Sequence, residues 1–175
     1  MNILGGTYKN KKLLMPTGDK NLRPTKSIVR QAAINMLNSR IDFSTANIVD
    51  ICCGIGALGL EILSRGAKHV TFVDINTKWI KQNIELLGVA EPTNIIQKDM
   101  NNLAPQQPFD IIISDPPYGK DMPNTLLTNK SLGKTGSFWL IEAETGYIPK
   151  FSKSDFELLK EKRFGKSTLF LFLQS

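Results

Sequence analysis

Histidine is almost absent from this 175-residue chain, and cysteine nearly so. His69 is the only imidazole, which excludes His-rich metal centres; standing just before an apolar run, it reads as an ordinary strand-end residue. Cys52 and Cys53 are adjacent, so they neither bridge each other nor supply a spaced set of metal ligands, and reduced thiols in a reducing compartment are expected. No apolar run approaches the ~18 residues of a membrane span. The opening Met1-Asn2-Ile3-Leu4-Gly5-Gly6 is too short and polar for a signal-peptide core, so the expected location is cytoplasmic. Internal repeats, linkers and low-complexity stretches are also lacking. What remains, 41% hydrophobic and 22% charged residues, describes one globular domain with a small appendage. Nothing in it demands a dimer, and a monomer is expected.

Charge is present but uneven. Residues 1–40 hold eight Lys/Arg (Lys9, Lys11, Lys12, Lys20, Arg23, Lys26, Arg30, Arg40) against the single acid Asp19, a net +7. The remainder carries 14 basic and 15 acidic residues, a net −1, so the whole +6 excess sits in the first quarter. A basic segment beside a balanced body suggests a polyanion-binding arm on a separate chemical core; a solvated, solubilising face is the plainer alternative.

Residues 2–15 read as two short strands, about 3–8 and 12–15, turning at Lys9-Asn10-Lys11. A Pro/Gly loop follows, and Thr25 is placed to cap a helix in which Ile28/Val29, Ala32/Ala33 and Met36/Leu37 recur at helical spacing to about Ser39. From residue 47 strands and helices alternate. Strands are expected at 48–52, 70–73, 94–97, 110–114 and 136–142, helices at 58–64 and 77–87, and a closing antiparallel pair at 156–162 and 168–173. The alternation indicates an α/β fold, a mostly parallel seven-stranded sheet with helices on both faces and an antiparallel C-terminal hairpin. Residues 1–24 are read as a basic β-hairpin extension and 25–175 as the main domain. Ligands of such sheets bind beyond the carboxyl ends of the strands, near the point where the strand order reverses.

The informative residues do follow the strands. Gly54, Gly56 and Gly59 match G-x-G-x-x-G after the first strand, and Asp74 closes the second strand 20 residues beyond Gly54. That pattern also suits a dinucleotide site. Two features favour S-adenosylmethionine. Asp50 lies four residues before the first glycine, where it would repel a pyrophosphate but suits an ammonium and a sulfonium. Asp99, after the third strand, is placed to accept from an adenine amino group, while Asp74 would accept from ribose hydroxyls. Ile75 and Met100, beside these acids, belong to the same expected cofactor site. Gly54 and Gly56 are expected to let the backbone approach the methionine portion. Singly, each acid is equally a helix cap or a solvated side chain; three after three successive strands are not.

The fourth strand ends in Asp115-Pro116-Pro117-Tyr118. Two prolines stiffen the backbone and remove two donors. An acid, a stiff carbonyl and an aromatic in a row can hold a flat base bearing an NH2: Tyr118 stacks, while Asp115 and the Pro116 carbonyl accept the amine hydrogens. An exocyclic amine is a poor nucleophile because its lone pair is delocalised, so positioning and electrostatics carry the catalysis. A base must leave its stack to enter such a pocket. A Pro-Pro turn with a buried tyrosine is the structural alternative. Cys52 and Cys53 hint at carbon methylation, but they follow the first strand rather than the fourth and read as core packing.

Gly5-Gly6-x-x-Lys9-x-Lys11-Lys12-Leu13, Leu22-Arg23-Pro24-Thr25, the Asp50–Glu61 segment and Asp115–Tyr118 occur in that order. Together they resemble the RsmD-type bacterial 16S ribosomal RNA (guanine-N2)-methyltransferases over nearly the whole chain, departing from them at Gln31, Ile34, Cys52-Cys53 and Ile55. The resemblance implies a Rossmann-like class I methyltransferase fold using S-adenosylmethionine. The implied substrate is the N2 amine of a guanine in 16S ribosomal RNA, within the small ribosomal subunit or its assembly intermediate. It also implies that Arg23 and Thr25 lie near the cofactor and target pocket, and that the hairpin with Lys9, Lys11 and Lys12 touches RNA. Two other readings stand beside it: an adenine-N6 methyltransferase acting on DNA or RNA, and a non-catalytic RNA-binding assembly factor.

Overall fold

The computed structural model describes residues 1–16, 25–89, 92–119 and 121–175. Its centre is a seven-stranded sheet in the order β3-β2-β1-β4-β5-β7-β6. The strands are β1 (Ile48–Ile51), β2 (Val70–Asp74), β3 (Thr93–Gln97), β4 (Ile111–Ser114), β5 (Phe138–Glu144), β6 (Phe156–Phe164) and β7 (Ser167–Gln174). The first five are parallel, while β7 runs antiparallel to both β5 and β6. The chain steps outward from β1 to β3 and then returns to β4 on the other side of β1, which puts the reversal of strand order between β1 and β4.

Composition explains this arrangement. Every residue of β1 and β4 is buried, Asp50 and Ser114 included, as in central parallel strands covered on both faces. Side chains alternate between two cores. Ile48, Phe72, Ile111, Ile113, Leu140 and Leu171 meet α1 (Ser27–Asn38), α2 (Ala57–Ser64) and α3 (Lys78–Leu87) on one face. Val49, Ile51, Ile112, Trp139, Ile141 and Phe172 meet α4 (Met122–Thr128) on the other. Trp139, Phe156 and Phe172 pack edge to face within the second core. The edge strands β3 and β6 are far more exposed.

Three local expectations change. The N-terminal pair of strands reduces to a single antiparallel bridge, Asn2 with Lys12. Backbone groups that would have lengthened the ladder are taken by α2: Leu4 and Gly5 donate to the Glu61 carboxylate, and Thr7 and Tyr8 donate to Ser64. Thr25 is not the cap of α1. Lys26 holds that position without a side-chain cap bond, and the Thr25 hydroxyl donates to Asp115 instead. Helix α4 has no counterpart in the sequence reading, because seven residues carrying a proline in the first turn give too short a period to recognise.

The N-terminal segment is built into the body. Ile3, Tyr8 and Leu13 are buried in the first core, Leu14 N–H donates to Asn83, and buried Arg30 ties Asn2 to Thr25 through both backbone carbonyls. Arg30 therefore belongs to the interior despite counting toward the basic excess. Among the described residues, no helix is long and apolar enough to cross a membrane.

Candidate active site

Register fixes where the strands end. Ile51 lies opposite Val73 and Ser114, Asp74 opposite Gln97, and Ser114 opposite Ile141. The residues just beyond these positions therefore come together at one edge of the sheet, around a cavity of about 760 Å³. Asp50, Gly54, Asp74, Ile75, Asp99 and Met100 line it from the β1–β3 side, and Thr25, Asp115, Pro116 and Tyr118 from the β4–β5 side.

Asp50 is almost wholly buried beneath the glycine turn and accepts the Gly59 N–H at 2.9 Å. Burial pushes its carboxyl up to about 8, against the Gly59 hydrogen bond, with the charges of Asp115 and Asp74 adding to the rise. Asp74 takes Gly54 N–H at 2.8 Å on one oxygen and Asn76 N–H at 2.9 Å on the other. Its carboxylate is thereby locked, while each oxygen keeps a lone pair for another donor. Asp99 caps the turn at Met100–Asn102 through Asn101 N–H at 2.9 Å. Ile75, 70% exposed, offers an apolar surface at the cavity mouth.

The two glycines differ. A Cβ on Gly54 would meet nothing within 4 Å, so this position does leave the backbone open. Gly56, at φ +80°, would drive a Cβ to 2.1 Å from Ile80 Cδ1. It serves the contact between the turn and α3 rather than access for a ligand, and it does not line the cavity.

On the β4–β5 side, Thr25 holds the Asp115 carboxylate. The Tyr118 hydroxyl donates to Glu142 Oε1 at 3.0 Å and lies 2.8 Å from Ser167 Oγ, which fixes the ring from the outer end. Burial pushes the phenol up to about 12; the Glu142 charge adds to that and the Ser167 contact opposes it. The sequence reading missed Glu142 and Ser167. Glu142 was findable, since it is an acid closing the apolar run of the fifth strand, where the rule about strand ends directs attention.

Both cysteines border the cavity; Cys53 is buried as expected, whereas Cys52 is half-buried with its sulfur 3.9 Å from Met100 Sδ. Burial first, then the Asp74 and Asp50 charges, push the Cys52 thiol up to about 12. Both cysteines are pushed upward, and neither is a thiolate near neutral pH. Lys9, Lys11 and Lys12 are exposed but stand outside the cavity. Arg23 lies outside the described residues.

A sequence-family model described as Conserved hypothetical protein 95 matches residues 1–173. Ribosomal RNA small subunit methyltransferase D of Buchnera aphidicola subsp. Acyrthosiphon pisum is 30% identical over 99% of this chain and 93% of its own length. The Haemophilus influenzae protein of the same name is 30% identical over 94% of this chain and 89% of its own. The solved Escherichia coli protein yhhF shares the fold, with a TM-score of 0.84 at 24% identity over 100% of this chain and 98% of that one. A Rossmann-like sheet with its acids and glycine turn in register, matched nearly end to end by these relatives, means that the chain belongs to the Conserved hypothetical protein 95 family, the RsmD family.

Proposed function

We propose that the protein transfers a methyl group from S-adenosylmethionine to the N2 amine of a guanine in small-subunit (16S) ribosomal RNA. The observation that carries this reading is the single cavity shared by Asp50, Asp74, Asp99 and the Asp115–Tyr118 loop. The kinship with small-subunit ribosomal RNA methyltransferases supports the choice of RNA.

The donor half fits S-adenosylmethionine by its chemistry. Three carboxylates and an open Gly54 suit a cationic amino acid joined to a nucleoside, and the same acids would repel a pyrophosphate. Asp74 would take the ribose hydroxyls, Asp99 the adenine amine, Ile75 and Met100 the faces of the adenosine, and Asp50 the cationic end. When bound, the donor supplies an electrophilic methyl group.

In the acceptor half, Tyr118 stacks on the extruded base, its ring held by Glu142 and Ser167. Asp115 and the Pro116 carbonyl accept the two amine hydrogens and orient the nitrogen lone pair toward the methyl. Asp115 also stabilises the positive charge that grows on nitrogen as the N–C bond forms, and the released proton passes to Asp115 or to water. Thr25 acts by holding the Asp115 carboxylate rather than by gripping RNA. Residues 1–24 serve as a basic extension that brings Lys9, Lys11, Lys12 and Arg23 to the RNA, and the protein works as a cytoplasmic monomer.

The test is transfer of labelled methyl from S-adenosylmethionine to small ribosomal subunits from cells lacking this gene, followed by nucleoside analysis. Label in N2-methylguanosine is the expected result. Label in N6-methyladenosine would establish the adenine enzyme instead. A failure to label any subunit, precursor particle or naked RNA would leave a non-catalytic binder.

A further inference from the structure

The cavity poses an electrostatic difficulty for its proposed substrate. Five acidic side chains line it, those of Asp50, Asp74, Asp99, Asp115 and Glu142, of which Asp50 is pushed by burial toward its neutral form. An extruded nucleotide brings two flanking phosphates to the mouth of this acidic space, and some cation must hold them there.

The N-terminal lysines are badly placed for that task. The turn at Lys9–Lys11 is fastened to Ser64, through Thr7 N–H at 2.7 Å and Tyr8 N–H at 2.9 Å. Ser64 ends α2, whose first residue, Ala57, lines the cavity. At 1.5 Å per residue, the turn lies about 10 Å down the helix from Ala57. It can hold RNA further along its path but not the phosphates beside the target.

Other lysines stand nearer: Lys98 lines the cavity on the donor side, and two flank the groups that hold its acceptor half. Lys26 lines the cavity and directly follows Thr25, whose hydroxyl holds Asp115. Lys166 directly precedes Ser167, whose hydroxyl meets that of Tyr118. The turn carrying Lys166, next to cavity-lining Ser167, is pinned by Thr145, which donates its N–H to Lys166 O at 3.0 Å and its hydroxyl to Gly165 O at 2.6 Å. Both lysines are exposed, and neither is in an ion pair among the described residues. Each is one residue from a group that grips the Asp115–Tyr118 loop, and they approach it from different elements, α1 and the β6–β7 turn.

We propose that Lys26 and Lys166 form a two-sided clamp for the RNA phosphates flanking the target nucleotide. The clamp rests on the reading of an RNA base as the substrate. It holds the backbone on either side of the extruded base and offsets the carboxylates within. Because phosphate contacts position without reading sequence, the clamp sets affinity and register, while the choice of base stays with the loop.

Neither lysine side chain caps a helix or pairs with an acid, so Lys26→Ala and Lys166→Ala should leave the fold intact. Binding of a short fluorescein-labelled single-stranded RNA would be followed by anisotropy across a salt series, for wild type, both single variants and the double variant. Lys153→Ala, an exposed lysine before β6 at the opposite end of the sheet, serves as control. The clamp predicts that each substitution lowers the slope of log affinity against log salt by about 0.7, and that the double variant binds about tenfold more weakly at physiological salt. KM for small ribosomal subunits should rise, while S-adenosylmethionine affinity stays at the wild-type value and Lys153→Ala changes nothing. A double variant with the wild-type slope and affinity overturns the clamp alone. A wild-type protein that binds no RNA even at low salt overturns the RNA reading and the clamp with it.

Discussion

Asp50 shows how one side chain couples burial, protonation and ligand choice. Its carboxyl titrates near 8 in the folded protein, whereas in the unfolded chain it loses its proton near 4. Between those values the folded state holds one more proton than the unfolded state. Its contribution to stability is therefore complete below about pH 4 and lost as pH rises through about 8. Asp50→Asn cannot ionise, so its melting temperature should fall less than that of wild type as pH rises from about 4 to about 8. Parallel melting curves for the two proteins would show that Asp50 is not the buried acid. A cationic ligand favours the carboxylate, so wild-type affinity for S-adenosylmethionine should climb with pH toward 8, while Asp50→Asn binds weakly and without that climb. Asp115 belongs to the other half of the cavity and separates from Asp50 in its expected phenotype. Asp115→Ala should lower turnover by about a thousandfold or more while keeping cofactor affinity within a few-fold. Calorimetric titration with S-adenosylmethionine checks the second part, and a large loss of binding there would remove Asp115 from the acceptor side.

Elements meet at the glycine turn, where β1, α2 and α3 must approach closely. Gly56 has a left-handed backbone, and Ile80 of α3 occupies the space a methyl group would need. Gly56→Ala should therefore cost about 1–3 kcal/mol, read as a lower denaturation midpoint, and should weaken cofactor binding only through the displaced turn. Adding Ile80→Val, which removes the clashing Cδ1, should recover part of the loss; no recovery would locate the cost in the backbone alone. The same turn marks what the sequence makes legible. Ile48–Ile51 and Ile111–Ser114 declare themselves as buried parallel strands because four consecutive covered positions leave no other economical reading. The acids that follow them are legible from strand ends alone. Contacts between distant residues are not. Glu61 looks like a surface acid of α2 from its sequence, yet it is fully buried because Leu4 and Gly5, more than fifty residues away, donate their N–H groups to it. The N-terminal strands fail for the same reason, since α2 takes the hydrogen bonds that local alternation assigns to a hairpin.

Across the whole molecule, the N-terminal lysine turn and the cavity occupy different ends. The sheet gathers its carboxylates at one edge, while the exposed turn at Lys9–Lys11 is anchored beside the far end of α2. The net +7 of residues 1–40 overstates the basic surface there, because Arg30 is buried and directs its guanidinium to Thr25 and Asn2. Three exposed lysines remain on the described part of the extension: Lys9, Lys11 and Lys12. None supports the fold through a side-chain hydrogen bond among the described residues, so replacing all three with alanine should leave the melting temperature near that of wild type. The triple variant should bind small-subunit RNA more weakly and with a flatter salt dependence, the slope falling by about 0.7–0.9 for each phosphate that is no longer neutralised. Because the lysines stand away from the cavity, kcat on saturating small subunits should stay within about twofold, and only KM should rise. Anisotropy across a salt series and steady-state methyl transfer measure the two halves of this expectation. An unchanged slope would make the extension a solubilising face, and a fall in kcat at saturation would mean that its contacts help to present the target base.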